Sequence, residues 1–559
     1  MRLSASSLLK QLDELRHRYG TDAAPRRLEI LRELGGRPVG QVEEVFRLHE
    51  LLCFLRAYPD DQQVLEQVEI MLEGFSARSD LRRFRQRLAD TGLAGTDINY
   101  RFYWVTAGWL AHHWPDHLSI DWPELHKREE LLGILDLLMP YSETPALDQV
   151  DYSVREWVER LKGPDETDAA FLIRRFAALE VTAPVRERIY EQLDIPLTLT
   201  PGPGTPTRTL AKYRSKASTA FQTRPLRRER PDLKHEVSRR PVAVRELSIR
   251  EGGRLIDLAR EAMTTRQRDL DAFANADPRD VRLVELGGGL GFACYGLLPE
   301  RRLLLECSYG MIMLKNDVPF GYALASTLFR STEVAYNIFD TFRGGEAGWI
   351  FGRLLATIHH LFGTEVFAID PFQLGLGNKE GLASGAWWFY YKLGFRPRDR
   401  EIRRLLRGEL EQMKIDPGHR SSPATLEQLA ADYVFFYLGR QRDDVLGRVF
   451  LGNIGLEISH CLAQRFGGER ERGLAVCSRE AMHLLGLRTL EGFSPGERLA
   501  WERWSPLVLI LPGVDRWSTA DRRALVRVVR AKGGRRESDF LRRFDRHPRL
   551  GKALLQLAS

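Results

Sequence analysis

Five strand-like runs follow one another in the middle of this chain, and the breaks between them are too short to hold a helix. The runs cover residues 281–286, 291–298, 302–315, 318–329 and 334–339. The breaks at 299–301 and 316–317 carry turn-forming residues, so they predict hairpin turns between antiparallel strands. This part of the chain must therefore build a sheet, whatever its flanks form.

A helical pattern over residues 348–362, an apolar strand over 366–369 and a second helix running into Tyr390 follow these runs. Together they predict an α+β unit of about 150 residues. Apolar residues recur at helical spacing before this unit, for example in 42–54 and 64–72, and the chain after it is again mostly helical. The predicted fold class is α+β, with a central mixed β-sheet and helices flanked by largely α-helical N- and C-terminal domains.

The length of 559 residues predicts about three to five domains. We expect an α-helical domain of unknown role, a basic linker rich in Pro, Thr and Arg, the α+β domain, and a mostly helical domain with a basic C-terminal segment. The expected boundaries are 1–198, 199–241, 242–400 and 401–559.

The net charge of +7 is concentrated in two segments. Residues 201–250 carry thirteen Lys and Arg against four Asp and Glu, and residues 521–552 carry twelve against four. Segments 201–240 and 521–552 are therefore candidates for binding nucleic acid through its phosphates. For 201–240 a solvated tether is the favoured interpretation and nucleic-acid binding the alternative, because only Tyr213 and Phe221 could stack on bases.

The five cysteines indicate a reducing compartment. Their closest spacing is thirteen residues, between Cys294 and Cys307, and no pair forms C-x-x-C. We therefore expect a cytoplasmic protein with no disulfide framework and no metal site. We also expect no membrane association, since no run approaches 18 apolar residues and the N-terminus has no signal-peptide pattern.

Two glycine-rich motifs are candidates for ligand binding. The first, Val284-Glu285-Leu286-Gly287-Gly288-Gly289-Leu290-Gly291, matches the E-x-G-x-G-x-G turn of methyltransferases that bind S-adenosylmethionine. That site needs a helix directly after the glycines. Residues 292–296 are instead typical of a strand, so a methyltransferase is a minor alternative and a turn or bulge is expected.

The second motif, Phe342-Arg343-Gly344-Gly345-Glu346-Ala347-Gly348-Trp349, lies between an apolar strand and an amphipathic helix. Small residues here allow backbone N–H groups to approach an anion, and the helix N-terminus adds a partial positive charge. Arg343 can add a charge-assisted hydrogen bond. The motif therefore predicts a cradle for a pyrophosphate.

Residues 320–397 around this motif resemble the GNAT acyltransferase superfamily. Phe320-Gly321-Tyr322 resembles its third strand, and 342–348 its R/Q-x-x-G-x-G/A loop, which holds the pyrophosphate of acetyl-coenzyme A. Asp370-Pro371 and Asn378 correspond to the family's Asn region after strand five, and 390–395 to its Y-x-K-x-G-F ending. The resemblance covers residues 240–400 and identifies 242–400 as a GNAT-like acyltransferase domain. The implied contacts to the co-substrate acetyl-coenzyme A are Phe342, Arg343, Gly344, Gly345, Glu346, Ala347, Gly348 and Asn378.

The resemblance also implies catalytic roles. In this family a backbone N–H of the fourth strand, here 334–339, meets the thioester carbonyl, and splayed fourth and fifth strands admit the pantetheine arm. The position of Tyr390 commonly protonates the departing thiolate, while packing in the aromatic cluster 387–391 is the alternative role. Glu333 is the first candidate for the base and Asp340 the second.

Two features depart from the family pattern. Glu346 stands where the loop has its middle Gly, and a carboxylate there repels a pyrophosphate unless it turns away or pairs with Arg343 or Arg353. The loop 371–384 is also longer than usual. We therefore expect either an N-acetyltransferase acting on an amine of a small molecule or protein, or an inactive GNAT-like scaffold that binds protein or nucleic acid.

Overall fold

The computed structural model describes residues 3–20, 23–215 and 217–559. The chain divides into two compact units. Unit 1 comprises residues up to Pro225 together with Arg254–Asn275 and Lys315–Pro319, and unit 2 comprises Leu226–Gly253, Ala276–Leu314 and Phe320–Ser559. The fold mixes helices with a nine-stranded mixed sheet, as the predicted α+β class requires.

The N-terminal part of the chain is mostly helical. Its helices are α1 Ala5–Leu15, α2 Ala23–Gly35, α3 Val42–Ala57, α4 Gln62–Glu73, α5 Ser79–Phe84, α6 Trp104–His113, α7 Arg128–Leu132, α8 Thr144–Gln149, α9 Val154–Leu161, α10 Asp168–Ala177 and α11 Ala183–Leu193. The helices predicted over 42–54 and 64–72 are confirmed as α3 and α4. Asp61 caps α4 by accepting hydrogen bonds from the N–H groups of Gln63 and Val64.

A small antiparallel sheet in unit 1 carries no signal in the sequence. Its strands are β1 Ile98–Tyr100, β2 Leu118–Ile120 and β3 Leu197–Leu199, in the order β1-β3-β2. Three residues are too few to show the alternation of a half-buried strand. Their apolar residues join the hydrophobic core of this region, so packing rather than local pattern forms the sheet.

Part of the predicted linker is packed in unit 1. The Arg56 guanidinium donates hydrogen bonds to the carbonyls of Thr209 and Ala211, at 2.7 and 3.2 Å, and Thr209 is fully buried. The interpretation as a solvated tether is therefore wrong at Thr209 and Ala211, which are buried. A buried guanidinium needs acceptors, and these backbone carbonyls supply them.

The large sheet has nine strands in the order β11-β12-β10-β9-β8-β7-β6-β5-β4. Its strands are β4 Ala243–Glu246, β5 Ala276–Gly287, β6 Leu290–Leu297, β7 Cys307–Lys315, β8 Val318–Leu328, β9 Ser331–Ile338, β10 Val366–Ile369, β11 Arg396–Pro397 and β12 Val434–Tyr437. The five predicted runs correspond to β5–β9, although β7 begins at Cys307, later than predicted. The predicted strand 366–369 is confirmed as β10.

Two turns of the sheet were predicted from the sequence. Asn316 and Asp317 have φ of +46° and +67°, as a two-residue hairpin turn requires, and they join β7 to β8. Pro299–Arg301 instead forms a short 3₁₀ helix, so the predicted hairpin turn there is replaced by a longer connection. Residues 302–306 form the rest of this connection, so β7 begins only at Cys307 and not at residue 302 as predicted.

The other helices follow β3 along the chain. They are α12 Leu233–Ser238, α13 Ile249–Thr264, α14 Asp271–Ala274, α15 Ala347–Phe362, α16 Pro371–Leu374, α17 Lys379–Ser384, α18 Ala386–Lys392, α19 Arg400–Ile415, α20 Pro423–Leu429, α21 Gly452–Phe466, α22 Arg470–Leu485, α23 Pro495–Ile510, α24 Thr519–Lys532, α25 Ser538–Asp545 and α26 Pro548–Ala558. Helix α15 matches the predicted helix 348–362 and ends where Gly363 takes a left-handed conformation.

The C-terminal region adds one strand and a buried charge to unit 2. Strand β12 inserts between β10 and β11, although the sequence predicts mostly helices after residue 400. In the basic segment 521–552, Lys532 is buried and its ammonium lies 2.6 Å from the Glu537 carboxylate. The positive charge of Lys532 is thus paired with a carboxylate inside the fold. Within the described ranges, no helix combines the length and apolar character needed to span a bilayer.

Candidate functional site

Strand β9 runs past the end of its neighbour β10. They run parallel, and their pairing extends from Ser331–Val366 to Glu333–Ala368. Beyond that point β9 continues to Ile338, whereas β10 ends at Ile369 and the chain turns into α16. Residues 335–337 are only half-buried, so the part of β9 that β10 does not pair with is partly accessible. We call this part of β9, residues 334–338, the notch.

Glu333 lies where the notch begins. Its carboxylate Oε2 accepts a hydrogen bond of 3.0 Å from the Tyr433 hydroxyl, at the start of β12. Burial raises the pKa of Glu333, and the negative charge of Asp370 raises it further, while the Tyr433 hydrogen bond acts in the opposite direction. A carboxylate with a raised pKa is a better proton acceptor at neutral pH than an exposed one.

Asp370 follows β10 and caps α16. Its Oδ1 accepts hydrogen bonds from the N–H groups of Phe372 and Gln373, at 2.8 and 3.2 Å. Burial raises the pKa of Asp370 despite these bonds. Its charge acts on Glu333, Tyr390 and Tyr433, raising the pKa of each, so these four groups form one electrostatic cluster.

Tyr390 lies on α18 and is only 3% exposed. Its ring packs edge-on against Phe351 and Phe395, with centroid distances of 5.5 and 5.8 Å. Burial raises the pKa of its hydroxyl well above the ordinary value, so the phenol stays protonated. The packing role is therefore present, and the protonation state is the one a proton donor needs.

Arg343 is held by one backbone carbonyl and two carboxylates of the protein. Its Nε donates to the Ile338 carbonyl at 3.1 Å, its Nη1 lies 2.6 Å from Asp340 Oδ1, and its Nη2 binds the Glu380 carboxylate on α17. Asp340, the second candidate for the base, is thus held in this ion pair with its side chain 81% exposed. The structure brings the loop 342–348 and α17 together through Arg343.

Glu346 is buried at the start of α15. It is 5% exposed, and its Oε1 accepts a hydrogen bond of 3.2 Å from the backbone N–H of Arg227. The alternatives of pairing with Arg343 or Arg353 are not formed, because Arg353 bonds the carbonyls of Arg239 and Arg240 instead. A carboxylate at a helix N-terminus is stabilised by the helix dipole.

Residues 226–231, which we call the strap, cover the glycines of this loop. A Cβ on Gly345 would lie 3.4 Å from Leu226 Cδ1, and a Cβ on Gly348 would lie 3.3 Å from Pro231 Cδ. Gly344, with φ of +81°, faces open space. Because the strap and a buried carboxylate occupy the surroundings of α15's first turn, a pyrophosphate could reach this loop only after the strap had moved away.

The remaining predicted contacts have local structural roles. Phe342 is buried against Phe320, with ring centroids 6.1 Å apart, and the Ala347 carbonyl accepts a hydrogen bond of 2.9 Å from the Tyr336 hydroxyl. Asn378 caps α17, accepting from the Gly381 N–H at 3.0 Å and donating to the Phe372 carbonyl at 3.0 Å. The long loop 371–384 is thus largely helical, as α16 and α17.

The first glycine motif forms a hairpin turn. Gly288 and Gly289 have φ of +59° and +72°, and the strands on either side pair antiparallel, with Gly287 opposite Leu290. The residues after the glycines form β6. The helix that the methyltransferase alternative requires at this position is replaced by a strand.

Tyr433 is the functional candidate that sequence reasoning missed. It lies in a region that is expected to be mostly helical, and a single Tyr carries no motif. Asp370 was noticed only through the family resemblance. Comparisons with protein-family models, with curated proteins and with solved structures found no match to this chain. The interpretation of the site therefore rests on its geometry.

Proposed function

We propose that the protein is a GNAT-like acyltransferase that moves an acetyl group from acetyl-coenzyme A to an amine, with the reaction at the notch. The observation that carries this proposal is that β9 continues past its last pair with β10, beside the Glu333–Tyr433 pair. The resemblance implies that the pantetheine arm enters between the fourth and fifth strands, which correspond to β9 and β10. The acceptor is an amine of a small molecule or a protein.

The position of the loop supports the same assignment. It connects β9 to α15, and α15 leads into β10, the parallel neighbour of β9. Helix α18 then carries Tyr390 into the cluster with Glu333 and Asp370. This order of strand, loop, helix, strand and helix is the one the resemblance requires.

Glu333 and Tyr390 are suited to the two proton movements of acetyl transfer. An acceptor amine must lose a proton before its nitrogen can attack, and Glu333 is the proton acceptor at the notch. Tyr433 holds the Glu333 carboxylate in place through its hydroxyl. Tyr390 retains the proton that a departing thiolate needs. When bound, acetyl-coenzyme A supplies the acetyl group as a reactive thioester.

A second candidate function is a GNAT-like binding protein without turnover. The strap and the buried Glu346 favour it, since they occupy the surroundings of the loop that the resemblance assigns to the pyrophosphate. In this case the sheet serves as a scaffold. The two candidates differ in whether acetyl-coenzyme A binds.

Calorimetric titration of the full chain with acetyl-coenzyme A tests the proposal. The acyltransferase is expected to bind, and to release free thiol when a panel of butylamine, spermidine and a lysine peptide is added. Glu333→Gln should abolish thiol release and retain binding, while Glu427→Gln, an exposed control on α20, should change neither. A folded protein that shows no heat at millimolar acetyl-coenzyme A would reject the enzyme and support the binding protein.

We further infer a reducing, cytoplasmic location. Cys53, Cys294, Cys307 and Cys477 are buried as free thiols, and burial raises the pKa of Cys294 to about 12. Such thiols are inert packing groups. Alkylation of the native protein should therefore modify Cys461 before the other four, since Cys461 is the half-exposed thiol.

A further inference from the structure

Four arginines lie along one face of α19. Arg400, Arg403, Arg404 and Arg407 occupy positions i, i+3, i+4 and i+7, and all four are exposed. We call them the α19 face. Like charges at these spacings are neighbours on a helix and destabilise it. The Arg403 guanidinium donates a hydrogen bond of 3.2 Å to the Asp399 backbone carbonyl, and its charge acts on the Asp399 carboxylate, so the repulsion is compensated in part. Among the described residues, no salt bridge joins any of the four to a carboxylate.

The α19 face lines a groove of about 650 Å³. Arg396 adds a fifth guanidinium, and the side chains of Leu406 and Leu410 contribute apolar surface. No acidic residue is among the described residues that line the groove. A concave, purely basic surface with apolar patches attracts a polyanion that also carries apolar faces.

Arg396 presents a fixed planar surface at one end of the groove. Its Nη1 donates to the carbonyls of Tyr391 and Phe395, both at 2.8 Å, and its guanidinium lies 4.2 Å from the centroid of the Tyr391 ring. The aromatic ring supports one face of the guanidinium. Nucleobases stack on guanidinium planes held in this way.

We infer that this groove binds single-stranded nucleic acid. The α19 face extends for about 10 Å along the helix, a length that accommodates roughly three nucleotides at 3.4 Å per nucleotide. The phosphates would contact the α19 face, and a base would stack on Arg396. A concave groove favours a strand over the flat surface of a membrane. A carboxylate binds the N–H groups at the edge of a guanidinium, so an acidic peptide would not stack on the face of Arg396.

This assignment differs from the nucleic-acid candidates of the sequence, which are segments 201–240 and 521–552. It also stands apart from acetyl transfer, since neither the notch nor the loop contributes to it. Its failure is therefore distinguishable from failure of the proposed function, because the two are read out with different ligands.

Fluorescence anisotropy with labelled oligouridylate and oligothymidylate of about 16 nucleotides tests the inference on the full chain. Four phosphate contacts predict that wild-type affinity falls about 50-fold between 50 and 200 mM salt. Replacing all four arginines of the α19 face with Gln should abolish most of this salt dependence and weaken binding at 50 mM salt by more than about tenfold.

The matched control removes the same charge from the basic segment 521–552. It carries the substitutions Arg523→Gln, Arg527→Gln, Arg543→Gln and Arg546→Gln, all at exposed residues. This control should bind nearly as wild type. If it loses binding while the α19-face variant retains it, the C-terminal segment is the nucleic-acid site and the inference is wrong.

Arg396→Lys separates nucleic acid from a simple anion. Lys keeps the charge but lacks the plane, so affinity should fall while the salt dependence stays the same. Equal affinity of Arg396→Lys and wild type would contradict base stacking. Absence of oligonucleotide binding at 50 mM salt, or binding only to phosphatidylcholine–phosphatidylglycerol vesicles, would overturn the inference. Unchanged circular dichroism and melting temperature of each variant establish that it is folded.

Discussion

The Tyr433 hydroxyl donates a 3.0 Å hydrogen bond to Glu333 although the two residues are 100 positions apart in the chain. Strand β12 carries Tyr433 into the sheet beside β10, which is itself beside β9. A carboxylate is thereby positioned at the notch by a residue from outside the region that resembles an acyltransferase. This pair is the basis of the first prediction.

Tyr433→Phe should shift the pH dependence of turnover. The lost hydrogen bond stabilises the ionised form of Glu333, so its removal raises the pKa of this already raised carboxyl further. The acidic limb of the thiol-release profile should move up by about 0.5–1 pH unit. Tyr141→Phe, at a residue 90% exposed, is the control and should leave the profile in place.

Tyr390→Phe should lower the rate of thiol release by about 100-fold and leave the melting temperature nearly unchanged. The ring keeps its contacts with Phe351 and Phe395, and only the hydroxyl is lost. The same Tyr141→Phe control applies. A variant with full turnover would assign Tyr390 to packing alone.

Loosening the strap should strengthen binding of acetyl-coenzyme A. Leu226→Ser and Pro231→Gly together remove the contacts over Gly345 and Gly348, so a larger fraction of molecules has the loop uncovered. The apparent dissociation constant should fall in inverse proportion to that fraction. Calorimetry measures it, with Leu210→Ser, at a residue 54% exposed, as the control. Equal affinities would mean that the strap and the ligand do not compete.

Glu261→Gln should stabilise the protein above neutral pH. Burial, with a smaller effect of Asp257, raises the pKa of Glu261 to about 7. The folded state therefore binds a proton more tightly than the unfolded state, whose Glu has a pKa near 4.3. Stability falls as pH rises from about 4.3 to 7 and stays reduced above it, by about 3–4 kcal/mol.

Thermal denaturation between about pH 4 and 8 measures this effect. The melting temperature of Glu261→Gln should exceed that of wild type at pH 8, and the gap should close toward pH 4. Glu73→Gln, an exposed carboxyl at the end of α4, should show no such dependence. A constant gap at all pH values would exclude titration of Glu261 as the cause.

Much of the fold was predictable because its signals are local. The turn at Asn316 and Asp317 depends on residues that tolerate positive φ, and α15 and β10 follow from the periodicity of their own apolar residues. The family resemblance also named Glu333 and Tyr390 as candidate catalytic residues. Each of these predictions needs only a short stretch of chain.

The sequence by itself determined where β5–β10, α15 and the glycine-rich loop lie, since turn chemistry and hydrophobic periodicity act over a few residues. Only the tertiary structure decided that β12 inserts beside β10 and brings Tyr433 to Glu333. It also decided that the strap covers Gly345 and Gly348 and that Glu346 turns toward Arg227. These contacts join distant segments, and they form because burial and hydrogen-bond satisfaction are settled by the packed molecule as a whole.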